Sequence, residues 1–195
     1  MDFNLRTPIS ESDIRKLRVG DVVYITGTLV TARDAAHERI HQYLAESKDL
    51  PFSLNGLALF HCGPLARKAN DGWVILAAGP TTSMRMEAYE HEVIEKLGVR
   101  LIIGKGGMGE KTKRAMMKYG VAYAMFTGGA AVLAARCVKR VKSVVWLDLG
   151  MPEAVWVLEV ENFGPLIITI DSYGDDLFEK IIREAEIKKS GIIGL

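Results

Sequence analysis

The sequence predicts an α/β fold built on a mixed sheet. Short apolar or β-branched runs alternate with segments of helical period, which is the pattern of helices laid on a sheet. Toward the C-terminal end, SVVWLDL, EAVWVLEVENF and PLIITID follow one another without a helix between them, which favours a mixed sheet or two-layer β arrangement over a plain doubly wound domain. An apolar content of 49% in 195 residues is enough for one core, so residues 1–195 are expected to form a single domain.

The elements follow in order. Ser10 precedes a short helical run, ESDIRKL, and VVYITGTLV is β-branched and apolar with a break at Gly27, giving two short strands or one strand bent at the glycine. Thr31 is placed to cap a helix from about Ala32 to Ala45, with Ala36, Ile40, Tyr43 and Leu44 as its apolar stripe. LALFH is a strand ending in the turn residues His61-Cys62-Gly63-Pro64. WVILAA, uninterrupted by charge, has the signature of a strand buried on both faces. Thr82 or Ser83 caps a helix from about Met84 to Leu97, whose buried face is Met86, Tyr89, Val93 and Leu97. VRLIIG, the loop GKGGMG, the helix EKTKRAMMKYG and the strand VAYAMF come next. A helix then starts at Thr127-Gly128-Gly129 and runs through Val138, and DDLFEKIIREAEIKK is the last helix, with Leu177, Ile181, Ile182 and Ala185 on one side.

A formal net charge of +1 argues against general nucleic-acid binding, which needs a basic field. Two cysteines, Cys62 and Cys137, make no disulfide scaffold, so a reducing, cytoplasmic setting is the default. The N-terminus lacks a signal-peptide core, and the longest uncharged stretch, Tyr119 to Ala135, is shorter than the roughly 20 residues that span a bilayer. A soluble protein is expected.

The chemistry gathers at loops that end strands. Arg33 and Arg85 both fall in a first helical turn, beside the positive end of a helix dipole, where a cation is disfavoured. Two such placements suggest a shared anion. Lys105 in the GKGG loop and the hydroxyl-bearing loop Thr81-Thr82-Ser83 complete an inventory suited to a small dianion such as a dicarboxylate, since arginine forks hold carboxylates in fixed geometry. His37, one turn after Arg33, is placed to reach the mouth of that site. Gly104 to Gly109 match a dinucleotide fingerprint, but no acid occurs between Glu110 and Asp148 to hold a ribose. His37, His41, His61 and Cys62 could form a zinc set only if the fold joined two separate pairs. The inventory lacks an electrophile.

TGTLVTARDAAHERI, HCGP, GPTTSMRM, GKGGMG, TGGAA and DLGMPEAVWVLEVENF, in this order over nearly the whole chain, resemble the β-type subunit of iron–sulfur-dependent hydro-lyases, the class I fumarate hydratase and L(+)-tartrate dehydratase family. The resemblance implies a swivelling domain with β/β/α layering, closed against an α-type subunit in a heterotetramer. It implies that Arg33, Arg85 and Lys105 bind substrate carboxylates, and that Thr81, with Lys105, serves proton transfer. It also implies a [4Fe–4S] cluster ligated by three cysteines of the partner and not by this chain, which accounts for the missing electrophile. Fumarate hydration to (S)-malate is the expected reaction, L(+)-tartrate dehydration the alternative, and a non-catalytic module for small anions a third reading.

Overall fold

The computed structural model describes residues 1–70 and 72–193. In chain order the elements are β1 (Asp2–Arg6), α1 (Glu11–Ile14), β2 (Val22–Ala32), α2 (Asp34–Ala45), β3 (Ala58–His61), β4 (Leu65–Ala69) and β5 (Gly72–Ala77). A 3₁₀ turn (Ser83–Met86) leads into α3 (Glu87–Leu97), followed by β6 (Leu101–Gly104), α4 (Glu110–Tyr119), β7 (Ala122–Met125), α5 (Ala131–Arg136), β8 (Val138–Val145), β9 (Val155–Ile170) and α6 (Leu177–Ile193).

β1, β2, β3, β6 and β7 pair side by side in parallel, and β9 runs antiparallel to β7, β2 and β8. Because one long strand joins both β7 and β2, the mixed sheet curls back on itself as a partial barrel. Strand alternation then sorts the apolar residues into two cores. Ala58 and Phe60 of β3, Leu101 and Ile103 of β6, and Ala122 and Ala124 of β7 point inward with Phe126, Phe163 and Trp156. Leu59, Ile102 and Tyr123 point outward, against Ile40 of α2, Val93 and Ile94 of α3, and Met116 of α4. Both faces of these short strands are therefore buried, which explains their unbroken apolar sequence.

The α/β mixed-sheet expectation holds, with local corrections. The strand bent at Gly27 is one strand: Gly27 has φ +120° and the pairing with β9 shifts register on either side of Ile25. EAVWVLEVENF and PLIITID are likewise a single strand, β9. WVILAA is not a doubly buried strand, because among the described residues β5 pairs only with β4, in a separate two-stranded hairpin, and Val74 and Leu76 are exposed. β1 carried no strand expectation at all. α5 is six residues long, so the Thr127-Gly128-Gly129 segment is a loop before a short helix. Ile181 and Ile182 of α6 are exposed and do not form a buried stripe.

Candidate active site

β2 runs through Ala32, so Thr31 is a buried strand residue whose hydroxyl accepts from the Trp156 N–H, and Arg33 takes the N-cap position of α2. Its side chain is a quarter exposed and its guanidinium is held from two sides. Arg33 Nε lies 2.8 Å from Glu153 Oε1 and 3.4 Å from Asp34 Oδ2. Glu153 Oε2 also accepts the Ala35 N–H at 3.0 Å, so an acid from a distant turn supplies the helix cap that Arg33 cannot. That turn is anchored by Trp156, fully buried, whose indole N–H donates to the Met151 carbonyl. Gly63 of HCGP lets the parts meet: a Cβ there would come 2.8 Å from Arg33 Nη1 and 2.6 Å from the Pro152 carbonyl oxygen.

Arg85 reaches the same place from the 3₁₀ turn, its Nε donating to Asp34 Oδ1 at 2.8 Å. Asp34 thus bridges both arginines, one through each oxygen. In this structure the anion between the two arginines is the protein's own carboxylate. Arg85 remains 52% exposed on its side chain, and Lys105 is exposed.

Thr81 and Lys105 are brought together by the backbone. The Thr81 N–H donates to the His61 carbonyl at 2.7 Å, the Lys105 N–H donates to the Thr81 carbonyl at 3.2 Å, and the Ser83 N–H donates to the Lys105 carbonyl at 3.0 Å. The loops after β5 and β6 are in effect zipped edge to edge. Gly104 permits this, because any Cβ at that position would overlap Ser83 Oγ. Gly104→Ala is therefore expected to lower the unfolding free energy by about 1–3 kcal/mol, read from a chemical denaturation midpoint, by driving the two loops apart.

Behind these loops lies a buried polar chain. His37 is fully buried and does not reach the mouth of the site. Its Nδ1 faces the Arg33 carbonyl at 3.0 Å and its Nε2 faces Glu90 Oε2 at 2.9 Å. His61 Nε2 meets the same oxygen at 3.0 Å, while His61 Nδ1 lies 2.9 Å from Ser83 Oγ, itself 2.8 Å from the Tyr123 hydroxyl. Burial alone would lower the His37 value, but the Glu90 hydrogen bond raises it overall; burial lowers His61, with Glu90 offsetting only part. Burial opposes ionisation of Glu90, yet the positive charge carried by the His61–His37 pair and the hydrogen bonds both rings donate hold it down to about 2. Glu90 therefore stabilises the fold fully above its ordinary value of 4.5, and that contribution is lost as pH falls from there toward 2. In acid unfolding followed by circular dichroism, Glu90→Gln is expected to flatten the loss of stability across that window.

His37, His61 and Glu90 place three donor atoms within 4.8 Å of one another, a spacing at which an ion could be shared. The zinc set weighed from the sequence does not assemble. His61 and Cys62 are consecutive in an extended segment and point to opposite faces, Cys62 into the inner core. His41 pairs with Glu92 at the surface.

Sequence reasoning missed Asp34, Glu153, Glu90, Ser83 and Tyr123 as a connected set. Glu90 left a readable signal: it sits four residues after Met86 and three before Val93, on the helix face that packs inward, where an acid must be paired. Tyr89, assigned to that face, is only partly buried.

Residues 1–181 match the Fumarase C-terminus family. The chain is 49% identical over 173 residues to the L(+)-tartrate dehydratase subunit beta of Escherichia coli K12, covering 89% of this chain and 85% of that one. It is 46% identical over 188 residues to a putative L(+)-tartrate dehydratase subunit beta of Methanocaldococcus jannaschii, covering 96% of each. A putative fumarate hydratase class I of Geobacillus stearothermophilus is 45% identical over 189 residues, which are 96% of this chain and 36% of the relative.

Proposed function

The chain belongs to the Fumarase C-terminus family, and on that premise we propose that it is the β-type subunit of an L(+)-tartrate dehydratase, with a four-carbon dicarboxylate as substrate. The observation that carries this reading is the pair of arginines sharing one carboxylate at an open face. Arg33 and Arg85 already grip an anion, and a substrate carboxylate can take up the guanidinium donors that Asp34 does not occupy. Tartrate is preferred to the fumarate reaction expected from the sequence because the relatives with the higher identities carry the tartrate name. Fumarate hydration is the second reading, favoured by the Geobacillus relative.

In this reading Arg33 and Arg85 orient the two carboxylates, and Lys105 steadies the negative charge that develops beside one of them as the adjacent carbon loses its proton. Thr81, fixed by its backbone between His61 and Lys105, moves that proton, with the lysine charge favouring its ionised form. The departing hydroxide needs an electrophile, which we assign to an α-type partner carrying the iron–sulfur cluster. What supports that assignment is the cysteine chemistry. Cys62 is buried among apolar side chains, which push its thiol up, and Cys137 donates to backbone carbonyls of Leu133 and Asn162. Neither fits a three-cysteine ligand set.

Purified anaerobically with its partner, the complex is expected to dehydrate L(+)-tartrate with a kcat/KM at least about tenfold above that for fumarate or malate, a margin of about 1.4 kcal/mol. The reverse order would move the assignment to fumarate hydration.

A further inference from the structure

In the chain from Tyr123 to Arg33, three hydrogen bonds have their direction fixed by what their atoms can do, and like charge then orients the other two. A main-chain carbonyl only accepts, so His37 Nδ1 carries a proton toward Arg33. A carboxylate also only accepts, so the Nε2 atoms of His37 and His61 both carry protons toward Glu90 Oε2. His37 is then an imidazolium, and Glu90 its counter-ion. A second imidazolium at His61, with ring centroids 5.2 Å apart and both side chains fully buried, is opposed by like charge. His61 Nδ1 is accordingly bare and accepts the Ser83 hydroxyl proton, and Ser83 Oγ in turn accepts from Tyr123.

The chain connects two parts of the site that arrive on different elements. At one end His37 holds the main chain of Arg33, at the start of α2. At the other, Ser83 lies two residues after Thr81 and two before Arg85, against Gly104 and Lys105. Asp34 is the further charge acting on both histidines, and it lies on the same side as the two arginines.

We infer that Glu90, His37, His61 and Ser83 are positioning residues: one buried relay of one-way hydrogen bonds that sets the distance between Arg33 and the Thr81–Arg85 loop, and so the span between the two carboxylates the site accepts. The inference rests on the dicarboxylate reading for its consequence, but not for the relay itself. A shared metal ion is the competing use of the same donors. Zinc ligands about 2.0–2.1 Å from a tetrahedral ion sit roughly 3.3 Å from one another. Here both imidazole nitrogens are at hydrogen-bond distance, 2.9 and 3.0 Å, from a single oxygen.

Two measurements test it. The first needs neither substrate nor partner: nitrogen NMR of the full chain labelled at histidine, about one unit above the ordinary histidine value of about 6.5. His37 is expected with both ring nitrogens protonated, and His61 with a proton on Nε2 and a bare Nδ1. Ser83→Ala assigns the signals by shifting His61 Nδ1 alone. A neutral His37, a bare Nε2 on either ring, or one equivalent of metal by elemental analysis would overturn the relay. In the second, Glu90→Gln in the assembled enzyme is expected to raise KM for the dicarboxylate by about tenfold or more, equivalent to about 1.4 kcal/mol, with a smaller change in kcat. Ser83→Ala serves the same purpose should that variant fail to fold. A merely structural role would reduce the amount of active enzyme and leave KM unchanged, and that result would overturn the positioning claim. A complex that turns over no dicarboxylate would instead overturn the proposed function, with the NMR result still standing.

Discussion

Thr81→Ala is expected to lower kcat of the assembled enzyme by about 10²–10⁴-fold, the range for loss of a group that moves a proton in the transition state. The fold should barely register the change. The contacts that fix residue 81 are main-chain ones, from its N–H to the His61 carbonyl and from the Lys105 N–H to its own carbonyl, and alanine keeps both. Denaturation midpoints should therefore match the parent while turnover collapses. Thr81→Ser keeps a hydroxyl on the same backbone and should restore much of the rate. Turnover within about threefold of the parent for the alanine variant, a barrier change of less than about 0.7 kcal/mol, would remove Thr81 from the chemistry and leave Lys105 as the proton-transfer residue to test next.

Arg85→Ala should act on binding as well as rate. Loss of a charge-assisted hydrogen bond to a substrate carboxylate costs about 1.5–3 kcal/mol, or about 10–150-fold in kcat/KM. Asp34 does not become an unpaired acid in this variant, because its other oxygen still faces Arg33 and the group is about a third exposed. Stability should stay within about 0.5 kcal/mol of the parent, as for most changes at exposed positions. Arg85→Lys separates charge from geometry: a lysine keeps the charge but lacks the planar fork, so only partial recovery is expected. A kcat/KM unchanged by Arg85→Ala would take the residue out of the carboxylate clamp.

The cations of the candidate site stood out in the sequence because they are where folded proteins seldom put cations without a reason. Arg33 and Arg85 stand at helix starts, and the fold resolves the conflict by giving both a carboxylate. Lys105 and Thr81 were legible as strand-end loop residues, and the backbone does bring them together. What single-residue reasoning could not supply was the identity of the carboxylates. Asp34 adjoins Arg33 but read as an ordinary first-turn acid, and Glu153 lies far along the chain. His37 was misplaced for a related reason. Helical spacing puts it near Arg33, yet spacing alone does not say which way the α2 face turns, and Glu90, its partner, comes from another helix.

At the level of fold, LALFH, VRLIIG and VAYAMF were legible as apolar strands, and the structure buries both of their faces. The same rule misread WVILAA. Its tryptophan packs on Trp156, but the hairpin leaves much of the remaining strand in solvent, and apolar content cannot distinguish a buried strand from an exposed one. β9 was split in two because Gly164-Pro165 reads as a break, whereas the bulged pairing absorbs it within one strand.

The central claim is that this chain supplies half of an active site: carboxylate-binding and proton-transfer residues that act only against a partner's electrophile. The most direct measurement mixes separately purified chain and α-type partner under anaerobic conditions and follows dicarboxylate turnover. The account predicts no turnover by either component alone, turnover on mixing that saturates at a fixed stoichiometry, and no recovery when the chain added carries Thr81→Ala and Arg85→Ala. Turnover by the chain alone, or recovery by the doubly substituted chain equal to that of the parent, would contradict it.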